Sequence, residues 1–337
     1  MECKFLLPVI MLAWVWGCST HVSENYESQP TASRSVISGN QTVEVNNDSP
    51  SIKAELSDGL GIAALLNKNY NENTSRCVNY ISGIESGHYW CTGVLVRTTD
   101  NGNFPPWEPS PTALRLGGTS FAWIRHDEGT KTLYKRAGFA VLNPADLIAG
   151  AVQGMSFELD RVFCFYPFDA YTTRTMTRKS PGCDFENTAP GVNAFGTCDY
   201  SLGYTTAAQW NAHFRSVGQT NYRQCSWSAW KSSNWVSAIQ SRKAFVGQSS
   251  WSEVMMWNAG DTNDPRQIAD NKEAVRKSIV GFFFDPSKSG SLADAQAFQK
   301  KLADTGRRVP VLRLNFQAPA SQRFVFSQGD QLTGYYP

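Results

Sequence analysis

Three groups far apart in this chain, a guanidinium, a hydroxyl pair and a carboxylate, have the types to bind an anion, to hydrogen-bond and to carry a negative charge. Arg97 closes the apolar run YWCTGVLVRTT, Thr119-Ser120 open the run GGTSFAWIRHD, and Glu253 follows Ser249-Ser250-Trp251-Ser252 at the head of a later apolar run. On an extended strand Cys91, Gly93, Leu95 and Arg97 share one face. A guanidinium rising from such an apolar surface can clamp a phosphate or carboxylate with two parallel hydrogen bonds. The Ser120 hydroxyl can brace the neighbouring strand. A carboxylate such as Glu253 at the head of an apolar strand can stabilise a positive charge that develops beside it. Trp123, Trp251 or Tyr89 can stack on a planar ring. Each residue also has a structural role to weigh. Arg97 can be an ion-pair partner at a strand end, Ser120 a strand-edge residue, Glu253 a turn cap, and the tryptophans core.

A second constellation centres on Cys91, with His88 and His126 nearby. A Cys–His pair does nucleophilic chemistry only through a free thiolate. No metal site is expected: there is no CxxC, and His21, His88, His126 and His213 are not grouped with cysteines. Walker A, HExxH, GxSxG and kinase signatures are missing. Gly59-Leu60-Gly61-Ile62-Ala63-Ala64 matches GxGxxA in letters, but it lacks the preceding strand a dinucleotide fold requires.

The elements that must hold these groups follow from apolar periodicity. Strands are expected over Thr92–Thr99, Thr119–Arg125, Leu133–Val141, Ser156–Tyr166, Glu253–Trp257, Val280–Phe284 and Val309–Phe316. Helices are expected from Ser57-Asp58 to Leu66, from Thr205 to about Arg215, over Asn234–Phe245, and over Leu292–Ala303 with Gly306 beyond its end. The last helix and its flanking strands form a strand–helix–strand unit. Residues 172–197 read as a long stapled loop. The expected class is α+β: a mixed, mainly antiparallel sheet with flanking helices, in one disulfide-stapled domain over 55–337.

The chain has 337 residues, 41% hydrophobic and 18% charged, with a net charge of +2. That field is too weak to argue for nucleic acid, and there is no Lys/Arg block. Met1-Glu2-Cys3-Lys4 followed by an apolar run from Phe5 to Trp16 and Gly17-Cys18 reads as a secretory signal over 1–18. Val15-Trp16-Gly17-Cys18 is similar to a lipobox, so a lipid-anchored envelope protein and a free secreted one both stay open, with a lipid on Cys18 as the only membrane link. Residues 19–54, rich in Ser, Asn and Thr, read as a polar tether. Of eight cysteines, setting aside Cys3 and Cys18 leaves six, an even number that suits three disulfides in an exported chain. Nearest-neighbour pairing (77–91, 164–183, 198–225) is the simplest of fifteen connectivities.

Over most of residues 55–330 the chain resembles the halovibrin-like secreted bacterial proteins, described as NAD glycohydrolases or ADP-ribosyltransferases. The resemblance lies in GHYWCTGVLVRTT, GGTSFAWIR, TTAAQWNAHF and VPVLRLNF, together with the six cysteines. The order Arg, Thr-Ser, Glu is also that of ADP-ribosylating toxins. The resemblance implies NAD as substrate, with Arg97 on its diphosphate, Thr119 and Ser120 bracing the site, and Glu253 at the ribose. Trp123 or Trp251 would stack a ring. A host or competitor protein would be the acceptor if ADP-ribose is transferred. Where that class has Gln or Glu two residues before its catalytic Glu, this chain has Trp251, which favours plain hydrolysis. Two other readings remain. The run from Cys91 to Val96 resembles the SGCTT-type strand of toxin glutamine deamidases. A disulfide-rigidified adhesive domain would leave Arg97, Ser120 and Glu253 scattered.

Overall fold

The computed structural model describes residues 55–79, 83–99, 105, 107–108, 119–153, 155, 161–168, 197–216, 224–229, 231–245, 251–257 and 265–337. The signal, the tether and most of the stapled loop at 172–197 lie outside them.

Helix α1 (Gly59–Asn71) opens where Asp58 accepts a hydrogen bond from the Gly61 N–H at 2.8 Å. It runs past the expected end at Leu66 because its last turns are anchored. Asn69 and Tyr70 are buried, and Asn67 bonds a sheet edge. A two-stranded hairpin follows, β1 (Cys77–Val78) with β2 (Glu85–Ser86).

Among the described residues the main sheet has nine strands. They are β3 (Val94–Thr98), β4 (Thr119–Ile124), β5 (Ala137–Val141), β6 (Arg161–Tyr166), β7 (Trp227–Ser228), β8 (Glu253–Trp257), β9 (Ile279–Phe284), β10 (Val311–Leu314) and β11 (Phe324–Phe326). Their spatial order is β11-β10-β9-β5-β3-β4-β8-β6-β7. β9 and β10 pair in parallel and are linked by a helix, as the strand–helix–strand reading expects; the other neighbours pair antiparallel. The protein is thus α+β with a mixed, mainly antiparallel sheet. β5 begins at Ala137 rather than Leu133; residues 125–136 form a loop that precedes it.

Among the described residues the remaining α-helices are α2 (Pro144–Ile148), α3 (Cys198–Ser201), α4 (Ala207–Ser216), α5 (Ser232–Lys243), α6 (Pro265–Ser278) and α7 (Ser291–Ala303). The sheet is apolar on both faces because both are covered. On one face Leu95, Phe121, Trp123, Phe139 and Phe282 join Trp210 of α4, Trp235 of α5, Val275 of α6 and Phe298 of α7. On the other, Val94, Val96, Ala122 and Ile124 join Ile62, Leu65 and Leu66 of α1. The edge strand β11 is blunted from the α1 side. The Asn67 amide donates to the Phe324 carbonyl at 2.7 Å and accepts from the Phe324 N–H at 2.9 Å, occupying backbone groups that would otherwise template another strand.

Two expected disulfides are formed, Cys77–Cys91 with Cα atoms 5.9 Å apart and Cys198–Cys225 at 5.3 Å. Cys183 of the third lies outside the described residues.

Candidate functional site

β3, β4 and β8 are consecutive in the sheet, so the strands carrying Arg97, Ser120 and Glu253 are neighbours. β3 and β4 pair from Val94↔Ile124 to Val96↔Ala122. One residue further on, the Arg97 guanidinium takes over: Nη1 donates to the Ser120 carbonyl at 2.7 Å. On its other side β3 packs against β5 at a glycine. A Cβ on Gly138 would stand 2.0 Å from the Arg97 carbonyl oxygen, so no side chain is tolerated there. Burial pulls the Arg97 pKa down to about 10, and the negative charge of Glu253 works against that shift.

Strand alternation assigns the faces. Arg97 pairs with Phe139 and is two residues from Leu95, both in the first core, so it rises from that face. Glu253, 5% exposed, alternates with Val254 of the first core and therefore falls on the opposite face. Ser120 pairs with Met255, two residues along from Glu253. Ser120 and Glu253 are diagonal neighbours on one face, with Cα atoms roughly 7–8 Å apart. Thr119, buried, alternates with Ser120 and falls on the Arg97 side. The four groups therefore do not converge as the sequence reading placed them. Ser120 and Glu253 share a face, whereas Arg97 reaches them from behind, through a backbone carbonyl and through its field.

Trp123 is the clearest correction. It is 0% exposed, stands edge-on to Trp235 with centroids 4.8 Å apart, and donates its indole N–H to the Thr92 carbonyl at 3.0 Å. Gly93, at φ 68°, makes room, since a Cβ there would meet the indole nitrogen at 2.2 Å. An enclosed indole has no face left for a ligand. Tyr89 is likewise buried, against Trp235. Trp251 differs: it is only partly buried, against the second core, and its ring lies 5.2 Å from that of Tyr134.

Ser252 fixes the start of β8. Its hydroxyl donates to the Trp123 carbonyl at 2.8 Å and accepts from the Trp123 N–H at 3.2 Å. The side chain thus replaces the ladder bonds between β8 and β4 and clamps the step that carries Trp251 and Glu253. Sequence reasoning passed over Ser252 because a serine beside a glutamate has no motif of its own, and Tyr134 because it fell inside an expected strand.

The Cys91 constellation is structural. Cys91 is bonded to Cys77, so no thiolate is available and the Cys-dependent deamidase reading is withdrawn. His88 is buried in the adjoining network. Its Nε2 lies 2.8 Å from the Ser75 carbonyl and its Nδ1 3.3 Å from Arg125 Nη1, while Arg125 is held by both oxygens of Asp127 at 2.6 and 2.8 Å. The ring must donate to Ser75 and accept from Arg125, which is the neutral form. Burial lowers its pKa from 6.5 to about 4. An unfolded chain therefore binds a proton at His88 between those values that the folded one does not. Stability should be fully present above pH 6.5 and fall by about 3 kcal/mol as the pH drops toward 4. Urea midpoints at pH 7 and pH 4.5 test this: a His88→Gln protein is expected to lose less between the two than wild type, and equal losses would contradict it.

Among the described residues no group of three His, Cys, Asp or Glu side chains could hold a metal ion. No protein-family model matches the chain, and no curated protein matches it.

Proposed function

We propose that the protein is an exported NAD-consuming enzyme, a glycohydrolase first and an ADP-ribosyltransferase second. The observation that carries this reading is the adjacency of β3, β4 and β8. It sets Ser120 and Glu253 diagonally on one face, with the Arg97 guanidinium bonded to the Ser120 carbonyl at 2.7 Å and in the field of Glu253. In this reading the ribose C1–nitrogen bond of NAD breaks, and nicotinamide leaves neutral with the bonding pair. The positive charge left on the ribosyl group is stabilised by the Glu253 carboxylate. Water then adds to C1 and gives up a proton, leaving ADP-ribose. Ser120 lies beside the carboxylate and can hydrogen-bond a ribose hydroxyl.

Arg97 takes a different part from the clamp suggested by its sequence position. Its guanidinium is turned to a carbonyl of β4, so it acts as a positioning residue that ties β3 to β4 at Ser120. Trp251 stands two residues before Glu253, where the resembled class carries Gln or Glu, which favours water as the acceptor. Export is supported by the Phe5–Trp16 run and by the two disulfides, which persist in oxidising compartments. Cys18 carries a lipid or is lost with the signal. Incubating the oxidised protein with NAD, and separately with NADP, tests the reading. Free nicotinamide is expected to accumulate in proportion to enzyme; no loss of either dinucleotide would refute it.

A further inference from the structure

The loop between α7 and β10 carries two arginines, Arg307 and Arg308, that have no carboxylate partner among the described residues. The negative field that reaches Arg307 comes from Glu273 near the end of α6, and both oxygens of Glu273 are taken by Arg276. Arg276 also crosses to the loop, donating from Nη1 to the Thr305 hydroxyl at 2.9 Å. Arg307 donates from Nη2 to the Ile279 carbonyl at 3.1 Å and touches the Met155 sulfur. Its Nε is buried without an acceptor, and its Nη1 makes no bond among the described residues. Burial and the neighbouring charge of Arg276 pull its pKa down to about 10. Arg308 is exposed. Helix C-termini favour cations, which accounts for Arg276 and Lys277 in the last turn of α6. It does not account for Arg307 and Arg308, which lie past the end of α7. A chain of net charge +2 thus gathers four cations and one carboxylate around one loop. A half-buried guanidinium beside another is unfavourable unless an anion joins them.

We infer that Arg276, Arg307 and Arg308 form a binding site for a phosphate-type anion. Guanidiniums present parallel N–H pairs that match phosphate oxygens. Arg307 Nη1 and the exposed Arg308 offer such donors, with Arg276 and the Thr305 hydroxyl alongside. An anion of two or more charges offsets the local excess better than a single carboxylate. The site is separate from the proposed catalytic centre and does not rest on that function. Arg307 is bonded to Ile279, the first residue of β9. Four strand steps, β9-β5-β3-β4-β8, separate that strand from the one carrying Glu253, or about 19 Å at the usual strand spacing. A free phosphorylated molecule and a phospholipid headgroup share the chemistry this site recognises.

Titration calorimetry of the oxidised protein with inorganic pyrophosphate, and sedimentation with phosphatidylglycerol or phosphatidylcholine vesicles, test the site. Wild type is expected to bind pyrophosphate, and Arg307→Gln to bind it about tenfold more weakly. Arg308→Gln changes an exposed side chain, so the fold should survive while affinity falls about threefold. Lys300→Gln removes an exposed cation already engaged by Asp304 at 2.8 Å and should leave affinity unchanged. Retention on phosphatidylglycerol vesicles alone, lost in Arg307→Gln and Arg308→Gln, would show that the same site takes lipid headgroups. Pyrophosphate binding without vesicle retention would assign it to free phosphorylated molecules. Failure of wild type to hold either probe would overturn the site. So would affinities that Arg307→Gln and Arg308→Gln leave unchanged, or that Lys300→Gln lowers as much as they do.

Discussion

Glu253→Gln is expected to lower nicotinamide release by roughly 10²–10³-fold, the usual effect of removing one preorganised group that meets developing transition-state charge. The exchange preserves shape and removes only the negative charge. Because that charge matters most after the ribosyl bond begins to break, the loss should fall on kcat, with KM little changed. The fold should survive. The Arg97 bond to the Ser120 carbonyl does not involve Glu253, and Ser252 still ties β8 to β4. A matching fall in thermal stability would mean that Glu253 is a structural counter-charge for Arg97 instead.

The largest stability effect is expected at Glu128 and Arg242. Their side chains are 1% and 2% exposed and meet at 2.8 Å. Arg242 Nε also donates to the Glu128 carbonyl at 2.8 Å, Nη2 to the Thr130 hydroxyl at 2.9 Å, and Nη1 to the Pro167 carbonyl. Glu128 accepts from the Thr130 N–H at 2.8 Å and from its hydroxyl at 2.9 Å. Burial works to raise the Glu128 pKa and to lower that of Arg242, while each charge favours the other. Arg242→Met would leave a carboxylate buried without its cation, at a cost of about 3–5 kcal/mol. Converting both, Glu128→Gln with Arg242→Met, should recover part of that loss because no bare charge remains. Denaturant midpoints of the two proteins check this; a double variant less stable than the single one would contradict it. The pair joins the loop after β4 to α5 and to the segment after β6, so it braces the strands on both sides of β8.

Much of the framework was legible in the sequence, and for a physical reason. β3, β4 and β9 are covered on both faces, so each is a short, continuous apolar run with polar ends. β8 falls on the residues expected, Glu253–Trp257. Nearest-neighbour pairing found two disulfides because each closes a local excursion of 14 or 27 residues. α6 escaped notice because its sequence, PRQIADNKEAVRKS, has few apolar residues to set a period. β1, β2 and β11 are two or three residues long and leave no pattern.

The candidate residues could be picked from the sequence, but their geometry could not. That β8 would lie beside β4 is a fact of sheet order, which no local pattern encodes. Whether Arg97 faces Glu253 or turns away depends on register, where one residue reverses the side. Trp123 and Trp251 look equivalent in sequence. One is sealed by Gly93, Trp235 and Phe165, and the other stands against an exposed tyrosine. Only the packing of distant elements separates them.

The central claim is tested most directly by resolving the products of NAD after incubation with equal amounts of oxidised wild-type and Glu253→Gln protein. Wild type is expected to yield nicotinamide and ADP-ribose in equal amounts, and the variant neither above background over the same period. Intact NAD with wild type, or the same products at the same rate from the variant, would contradict the account.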